Sequence, residues 1–173
     1  MESTENQTLL PGWARVLFIG RRPKYTAVRV LIIILCSLGL FSFVLRPVRI
    51  TGDSMRPTYR NGSVNFVNRL AYVFSEPQRG DVVGIRMAGE SVMFMKRIIG
   101  KPGETIEFRE GRAYVDGELL DEPYLKLPCD WNTAPVKLGR DSYYFIGDNR
   151  SMAREDHTGG ERERSRIVGK VLL

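Results

Sequence analysis

The sequence predicts a mainly β protein, in which one N-terminal transmembrane helix is followed by an antiparallel β-sheet domain. Residues 30–45 contain no charged side chain, and an uncharged run of that length is typical of a membrane span. After Val48, short runs of valine, isoleucine, phenylalanine and tyrosine alternate with glycine, aspartate, asparagine and proline. Short apolar runs separated by turn residues are typical of an all-β domain.

The membrane span is predicted from its length and from the residues that flank it. Residues 27–45 are 19 residues long with Arg29 as the single charge, and a helix of that length extends about 28 Å, close to the roughly 30 Å hydrocarbon core. The run is long for a cleaved secretory signal, and no small-residue cleavage pattern follows it. We therefore expect an uncleaved transmembrane anchor over residues 26–46, ended by Arg46-Pro47 because proline disfavours helical geometry in the preceding residue.

Basic residues indicate the orientation of this anchor. Those on its N-terminal side are Arg15, Arg21, Arg22, Lys24 and Arg29, and those immediately after it are Arg46 and Arg49. Cytoplasmic flanks carry the excess of Lys and Arg, so we expect a cytoplasmic tail over residues 1–25 and an extracytoplasmic β-rich domain over residues 47–173. Part of the net charge of +6 lies in this juxtamembrane segment, which favours the lipid bilayer over nucleic acid as its partner.

The histidine and cysteine content excludes several kinds of site. His157 is the only histidine, and its glycine-rich, charged loop favours an exposed side chain without a catalytic role. Cys36 lies in the predicted anchor, which leaves Cys129 alone in the β domain. We therefore predict no internal disulfide, no metal and no cofactor, and a hydrolase built on this chain needs a base other than histidine.

Strands of the β domain are predicted from apolar runs bounded by turn residues. They cover residues 63–67, 81–86, 91–99, 105–108, 112–115, 142–146 and 167–172. The run over residues 91–99 is the strongest of these, and the two after it form a predicted hairpin around Glu110-Gly111.

Lys96 is a candidate general base in the strand predicted over residues 91–99. Side chains alternate between the faces of a strand, so Lys96 shares its face with Val92, Phe94 and Ile98. Apolar surroundings lower the pKa of a lysine from about 10.4, and the neutral amine can then accept the proton of a serine hydroxyl. The alternative is a strand lysine that extends its ammonium group into solvent from a sheet edge.

Ser54 is the candidate nucleophile. It follows Gly52, which allows a close backbone turn, and precedes Pro57, which fixes φ. A serine on a rigid turn can expose its hydroxyl while its own N–H points toward a developing oxyanion. An ordinary surface turn is the alternative for this segment.

Four segments together resemble the type I signal peptidases, a family of membrane proteases with a serine–lysine dyad. They are GDSMRPT (residues 52–58), MKRIIGKPGE (95–104), the hairpin ETIEF…RAYVDGELLDEPY (104–124) and YYFIGDNR (143–150). The first resembles the nucleophile motif, the second the lysine motif and the last the Gly-Asp-Asn-Arg motif. They occur in the family order, behind one membrane helix.

The resemblance implies a serine endopeptidase that removes signal peptides from exported preproteins, with Ser54 as nucleophile and Lys96 as general base. Its substrate would carry small residues at the first and third positions before the cut and would lie as an added strand beside the active-site strands. The expected location is the inner (plasma) membrane of a cell, with the mitochondrial inner membrane as the alternative.

The resemblance also assigns supporting roles. Ile50, Met55, Phe94 and Met95 match positions that border the substrate pockets. Arg97 and Asp148 match an ion pair that braces the lysine strand against the turn at Gly147. The positions expected to bind substrate or to support the site are Ile50, Gly52, Asp53, Met55, Pro57, Phe94, Met95, Arg97, Gly147, Asp148, Asn149 and Arg150.

Two departures from the family pattern lead to an alternative function. Gly52 stands where some members carry a serine that helps to form the oxyanion hole. Ala153 and Glu155 stand where the family usually has a serine that hydrogen-bonds the lysine and an aspartate, and Ser151 or Asp156 would replace them only after a shift of register. Ala153 therefore favours, as the alternative, a catalytically impaired membrane-anchored subunit that binds export substrates or a partner protease.

A second alternative stays within serine–lysine chemistry. Self-cleaving repressors share a related β domain with a serine–lysine dyad, but they are soluble and carry a DNA-binding domain where this chain has its apolar run.

Overall fold

The structure, a computed structural model, describes residues 23–86, 93–127 and 129–172. Within these residues an apolar helix precedes eleven strands in two antiparallel sheets, which confirms the predicted fold class. The elements are α1 Pro23–Gly39, a π-helical segment Leu40–Val44, β1 Leu45–Arg49, β2 Val64–Asn68, β3 Val82–Arg86, β4 Met93–Gly100, β5 Thr105–Arg109, β6 Arg112–Val115, β7 Glu118–Leu119, β8 Val136–Lys137, β9 Ser142–Ile146, a 3-10 turn Arg154–Asp156, β10 Gly160–Glu163, a 3-10 turn Arg164–Arg166 and β11 Ile167–Leu172.

The helical part of the chain is uncharged after Arg29. The span Lys24–Val44 has 21 residues, and an 18-residue stretch of it has a mean hydropathy of 2.5, which makes the span long and apolar enough to cross a membrane. A strand begins at once at Leu45, where a continuation of the helix to Arg46 was expected. Pairing with β2 favours the strand, and Pro47, which lacks an N–H, is tolerated because β1 is an edge strand.

The larger sheet holds the predicted lysine strand near its centre. Its order is β1-β2-β11-β3-β4-β9-β10, and the smaller sheet has the order β7-β6-β5-β8. β4 pairs with β3 along Met93–Arg97 and with β9 from Arg97 onward, where Arg97 faces Ile146. The N-terminal half of β4 thus pairs with β3 on one side only. Strand β9 ends at Ile146, opposite Arg97 and next to Lys96.

The predicted strands agree closely with those observed. Three have the same bounds, and the others differ by one or two residues at an end. Residues 91 and 92 of the predicted lysine strand lie outside the described residues. Four strands, β1, β7, β8 and β10, were not predicted, because two are only two residues long and the other two are rich in charged or turn residues.

A buried cluster fixes the chain that follows β1. Ile50, Met55 and Tyr59 pack there with Val67 and Val82. Burying a side chain of this size stabilises the fold by about 1.5–3 kcal/mol. The segment that carries Ser54 is therefore held on the sheet by apolar residues on both sides of the serine.

Candidate active site

Lys96 and Ser54 meet in a hydrogen bond. The Lys96 Nζ lies 2.7 Å from the Ser54 Oγ, and the Lys96 side chain is only 2% exposed while Ser54 is half-buried. Strand β4 supplies the lysine opposite Val83 of β3. The turn after β1 supplies the serine from 42 residues earlier in the chain.

Burial makes Lys96 easier to deprotonate, which a lysine that acts as a general base requires. Removal from water lowers the pKa of Lys96 from 10.5 to about 8, against the attraction of Asp148, which raises it. Desolvation penalises the ammonium form because a charge loses its hydration shell in a low-dielectric site. A useful fraction of the side chain is then the free amine, which can accept a proton from the Ser54 hydroxyl.

The turn at Ser54 requires a glycine two residues before it. Gly52 has φ of 100°, a left-handed conformation in which a Cβ is unfavourable. The Arg56 N–H donates to the Asp53 carbonyl at 3.1 Å, and the bond between Arg56 and Pro57 is cis. A serine at position 52 would be strained in this conformation.

A second turn, residues 147–149, holds the backbone of the serine. The Asn149 N–H donates to the Ser54 carbonyl at 2.9 Å, and the Asn149 Nδ2 donates to the Asp53 carbonyl at 3.1 Å. A Cβ on Gly147 would lie 2.1 Å from the Ser54 carbonyl oxygen. Only glycine therefore lets the two turns approach this closely.

Asp148 joins the serine turn to the lysine strand. Its carboxylate, fully buried, accepts two hydrogen bonds from Arg97, at 2.9 Å from Nε and 2.7 Å from Nη2. The same carboxylate accepts from the Thr58 hydroxyl at 2.6 Å, and the Tyr124 ring stacks on the Arg97 guanidinium at 3.8 Å. Removing one partner of such a buried pair typically costs about 3–5 kcal/mol of folding free energy, well above what an ion pair on the surface contributes.

Arg150 is buried and forms an ion pair with Glu122, which the sequence did not predict. Its Nη2 lies 2.5 Å from the Glu122 carboxylate, and its Nε donates to the Gly147 carbonyl at 3.0 Å. Glu122 belongs to the segment after the β5–β6 hairpin, so only the three-dimensional fold brings it to this turn. The pair ties the smaller sheet to the turn that supports Ser54.

His157 is buried, contrary to the exposed side chain expected from its loop. It is 5% exposed, and both ring nitrogens face backbone groups: Nδ1 lies 3.3 Å from the Gly147 N–H and Nε2 lies 2.8 Å from the Asn149 carbonyl. Burial and the Lys96 charge lower the pKa of His157 to about 4. The glycine-rich, polar composition of the loop predicted an exposed side chain. The 3-10 turn at Arg154–Asp156 instead brings His157 back to the core.

The residues after the Gly-Asp-Asn-Arg segment leave Lys96 without a side-chain partner from that loop. Ala153, Glu155 and Asp156 are exposed, and the Ser151 hydroxyl donates to the Asn149 Oδ1 at 2.7 Å. Neither Ser151 nor Asp156 therefore replaces the serine of the family pattern. The hydrogen bond to Ser54 orients the lysine instead.

An apolar cavity opens beside Ser54. It has a volume of about 390 Å³, and its lining includes Ser54 together with Ile50, Met55, Phe94 and Met95. All four are residues expected to border the substrate pockets. The candidate nucleophile therefore lies in the wall of this cavity.

The chain is similar to proteins of one known family. Residues 24–173 match the family described as signal peptidase, peptidase S26. The chain is 34% identical to signal peptidase I of Bacillus amyloliquefaciens over 151 residues, covering 81% of this chain and 78% of that protein. It is 32% identical to signal peptidase I of Leptolyngbya laminosa over 148 residues, covering 81% and 73%.

A solved structure is also similar. The crystal structure of a signal peptidase I from Enterococcus faecalis V583 has a TM-score of 0.46 and 27% sequence identity, covering 57% of this chain and 98% of that chain. The family match extends through the apolar helix and both sheets. The chain therefore belongs to the signal peptidase family, peptidase S26.

Proposed function

We propose that this chain is a membrane-anchored serine endopeptidase that removes N-terminal signal peptides from exported preproteins, with Ser54 as nucleophile and Lys96 as general base. The observation that carries the assignment is the contact of 2.7 Å between the buried Lys96 Nζ and the Ser54 Oγ. Family membership supports the reaction, and the geometry supports the roles of the two residues.

Catalysis begins with proton transfer between these two side chains. The neutral amine of Lys96 takes the proton of the Ser54 hydroxyl while Oγ bonds to the scissile carbonyl carbon. The resulting oxyanion collapses, the C–N bond breaks, and the Lys96 ammonium gives its proton to the leaving amine. Water then hydrolyses the serine ester by the same route, with Lys96 again as base.

The substrate is expected to bind as an extra strand. Within the described part of the chain, β9 pairs with β4 from Arg97 onward, so the edge of Met93–Met95 opposite β3 is left for another strand. Backbone hydrogen bonds would give affinity, and alternate side chains would enter the cavity beside Ser54. Ile50 and Phe94, which line this cavity, would border the small side chains at the first and third positions before the cut.

Backbone amides are the donors proposed for the oxyanion. Gly52 has no hydroxyl, so the Ser54 N–H is the nearest candidate donor in the turn. Loss of one side-chain donor from an oxyanion hole costs about 3 kcal/mol in other serine proteases. A lower turnover than in relatives that carry a serine at this position is the expected consequence.

The proposed topology places catalysis outside the cytoplasm. The residues before the apolar span form the cytoplasmic tail, the span Lys24–Val44 is the anchor in the inner (plasma) membrane, and the β domain that begins at Leu45 is the extracytoplasmic peptidase domain. The positive residues before the apolar span support this orientation. The mitochondrial inner membrane is the alternative location.

The test is cleavage of a purified preprotein by the full chain in detergent or liposomes. Ser54→Ala and Lys96→Ala are expected to remove measurable turnover, because each deletes one partner of the proton transfer. Ser165→Ala and Lys137→Ala are matched controls at exposed positions, and both should retain activity. Turnover that survives in either active-site variant would refute the assignment.

The impaired binding subunit is distinguished by the same assay. Ala153 is the residue that favours it, because the family serine at this position is missing. Against it, the Lys96 Nζ reaches the Ser54 Oγ without help from that loop. Signal-peptide binding by the unmutated chain with no cleavage at any pH between 7 and 10 would establish the binding subunit.

A further inference from the structure

We propose that His157, as a neutral imidazole, is a positioning residue that fixes the 147–149 turn against the carbonyl of Ser54. The inference rests on the proposed Ser54–Lys96 pair, whose geometry it explains. The family serine at position 153 would support the site by a hydrogen bond to the lysine. In this chain His157 supports the site by fixing the turn that holds Ser54.

The hydrogen bonds of the ring select one tautomer. The Asn149 carbonyl can only accept, so the His157 Nε2, 2.8 Å away, carries the proton. The Nδ1 lone pair then accepts from the Gly147 N–H at 3.3 Å. Both ring nitrogens are satisfied in this neutral form, whereas an imidazolium would direct a second N–H at the Gly147 N–H. His157 therefore cannot also act as a base for Ser54.

The ring bridges the two ends of a three-residue turn. Gly147 begins the turn, and a Cβ there would lie 2.1 Å from the Ser54 carbonyl oxygen and 2.8 Å from the His157 Nδ1. Asn149 ends it and donates its N–H to the same Ser54 carbonyl at 2.9 Å. The imidazole thus bonds to both residues that face the Ser54 backbone and bridges the two ends of their turn.

The imidazole is itself held by the core. Its ring meets the edge of Trp131 with a centroid distance of 4.9 Å, and the Trp131 Nε1 donates to the Met152 carbonyl at 3.2 Å. Trp131 belongs to the buried cluster of the smaller sheet. A chain of rigid contacts therefore runs from that cluster through His157 to the turn and to Ser54.

Position matters here because the reaction depends on a single short contact. A displacement of about 1 Å in a reacting group can lower the rate by about 100-fold. Loss of the imidazole leaves the Gly147 N–H without its acceptor and leaves the Asn149 carbonyl only the longer bond from the Met152 N–H, at 3.4 Å. The turn is then expected to relax away from Ser54. His157 is not among the described residues that line the cavity beside Ser54.

The test compares three substitutions of His157 in the full chain. His157→Phe keeps a buried ring but removes both hydrogen bonds, His157→Asn keeps an acceptor near Nδ1, and His157→Gln keeps a donor near Nε2. We expect kcat for preprotein cleavage to fall about 10–100-fold in His157→Phe with KM within twofold. His157→Asn and His157→Gln should each restore part of the loss.

A matched control separates positioning from general destabilisation. Thr133→Val also removes a side-chain acceptor from a backbone N–H, that of Phe108 at 3.0 Å, but it does so in the smaller sheet. Its kcat per folded molecule, with folding followed by circular dichroism, should equal that of the unmutated chain. A kcat of folded His157→Phe within threefold of the unmutated value, or a loss that lies in KM, would overturn the inference.

Failure of the underlying assignment gives a different result. If Ser54→Ala or Lys96→Ala retains turnover, the catalytic pair is wrong whatever His157 does. If both are inactive while folded His157→Phe retains its kcat, the pair stands and the positioning role is rejected.

Discussion

At the scale of single residues, the site depends on an amine that has been removed from water. Lys96 is among the most deeply buried large side chains of the β domain, and it neighbours Asp148 without forming a salt bridge with it. Arg97 takes both oxygens of that carboxylate. Asp148 is thus neutralised by a cation that cannot lose its proton, and the lysine remains free to act as a base.

The pH dependence of cleavage follows from the lowered pKa of Lys96. Only the free amine accepts the Ser54 proton, and its fraction rises as the pH passes the pKa, which is about 8. We expect kcat/KM for a preprotein to rise about tenfold per pH unit below pH 8 and to level off above it. A rate that is constant between pH 6 and 10 would contradict a lysine base.

Lys96→Met is expected to abolish cleavage and to stabilise the fold. The folded pKa of about 8 lies below the unfolded value of 10.5, so the unfolded state binds more protons between these two pH values. Below pH 8 folding carries the full free-energy cost of burying the charged ammonium group. That cost is about 3 kcal/mol for a shift of this size. Methionine has a similar shape and no charge, so we expect a gain of about 1–3 kcal/mol at pH 7 in urea unfolding. The gain should shrink as the pH rises from 8 to 10.5, and a less stable variant at pH 7 would be the contrary result.

At the scale of elements, two turns from distant parts of the chain make the site, one before β2 and one after β9. Their contact relies on Gly147, where a Cβ would collide with the Ser54 carbonyl. We expect Gly147→Ala to lower kcat/KM at least about 100-fold, because the serine turn must move away from Lys96.

Gly111→Ala is the control for Gly147→Ala. A Cβ there would lie 1.9 Å from the Cys129 carbonyl oxygen, a collision of the same kind in the smaller sheet. It should lower the melting temperature while leaving kcat per folded molecule unchanged. Equal losses of kcat in the two variants would show that Gly147→Ala acts by destabilising the fold and not by moving Ser54.

Sequence periodicity was sufficient for the elements with local signals. The apolar run around β4, the hairpin of β5 and β6 and the tyrosine-rich β9 were predicted close to their observed bounds, because their alternation is independent of distant residues. The same alternation put Lys96 among apolar side chains but left open a lysine that extends into solvent, and the structure shows it buried. Its partner Ser54 could be paired with it only through the family resemblance, since nothing local relates the two positions.

Features that depend on distant contacts were missed. β1 contains Arg46-Pro47, which favours a helix end, and its strand character comes from pairing with β2. Glu122 and His157 lie in polar segments that are typical of exposed loops. Glu122 is buried by its pair with Arg150, and His157 is buried against Trp131 while it bonds to the turn at 147–149. Polar residues buried through non-local hydrogen bonds carry no periodic signal, so composition assigned them to the surface.

At the scale of the whole molecule, an apolar helix precedes a β domain that begins with β1 at Leu45. With the proposed orientation, protease added to the outside of intact cells or spheroplasts should digest the chain after residue 47. Protection of residues 1–25 is expected, because the basic flank remains in the cytoplasm. Digestion of the tail with protection of the β domain would reverse the orientation.

The ionisation of Lys96 gives the most direct test of the catalytic pair. It can be followed by NMR of 13C-labelled lysine in the full-length chain, with Lys96→Met used to assign the signal. A titration midpoint near 8 is the expected result, because burial disfavours the ammonium form. A midpoint near the ordinary value of 10.5 would mean a solvated cation at position 96 and would contradict the serine–lysine mechanism.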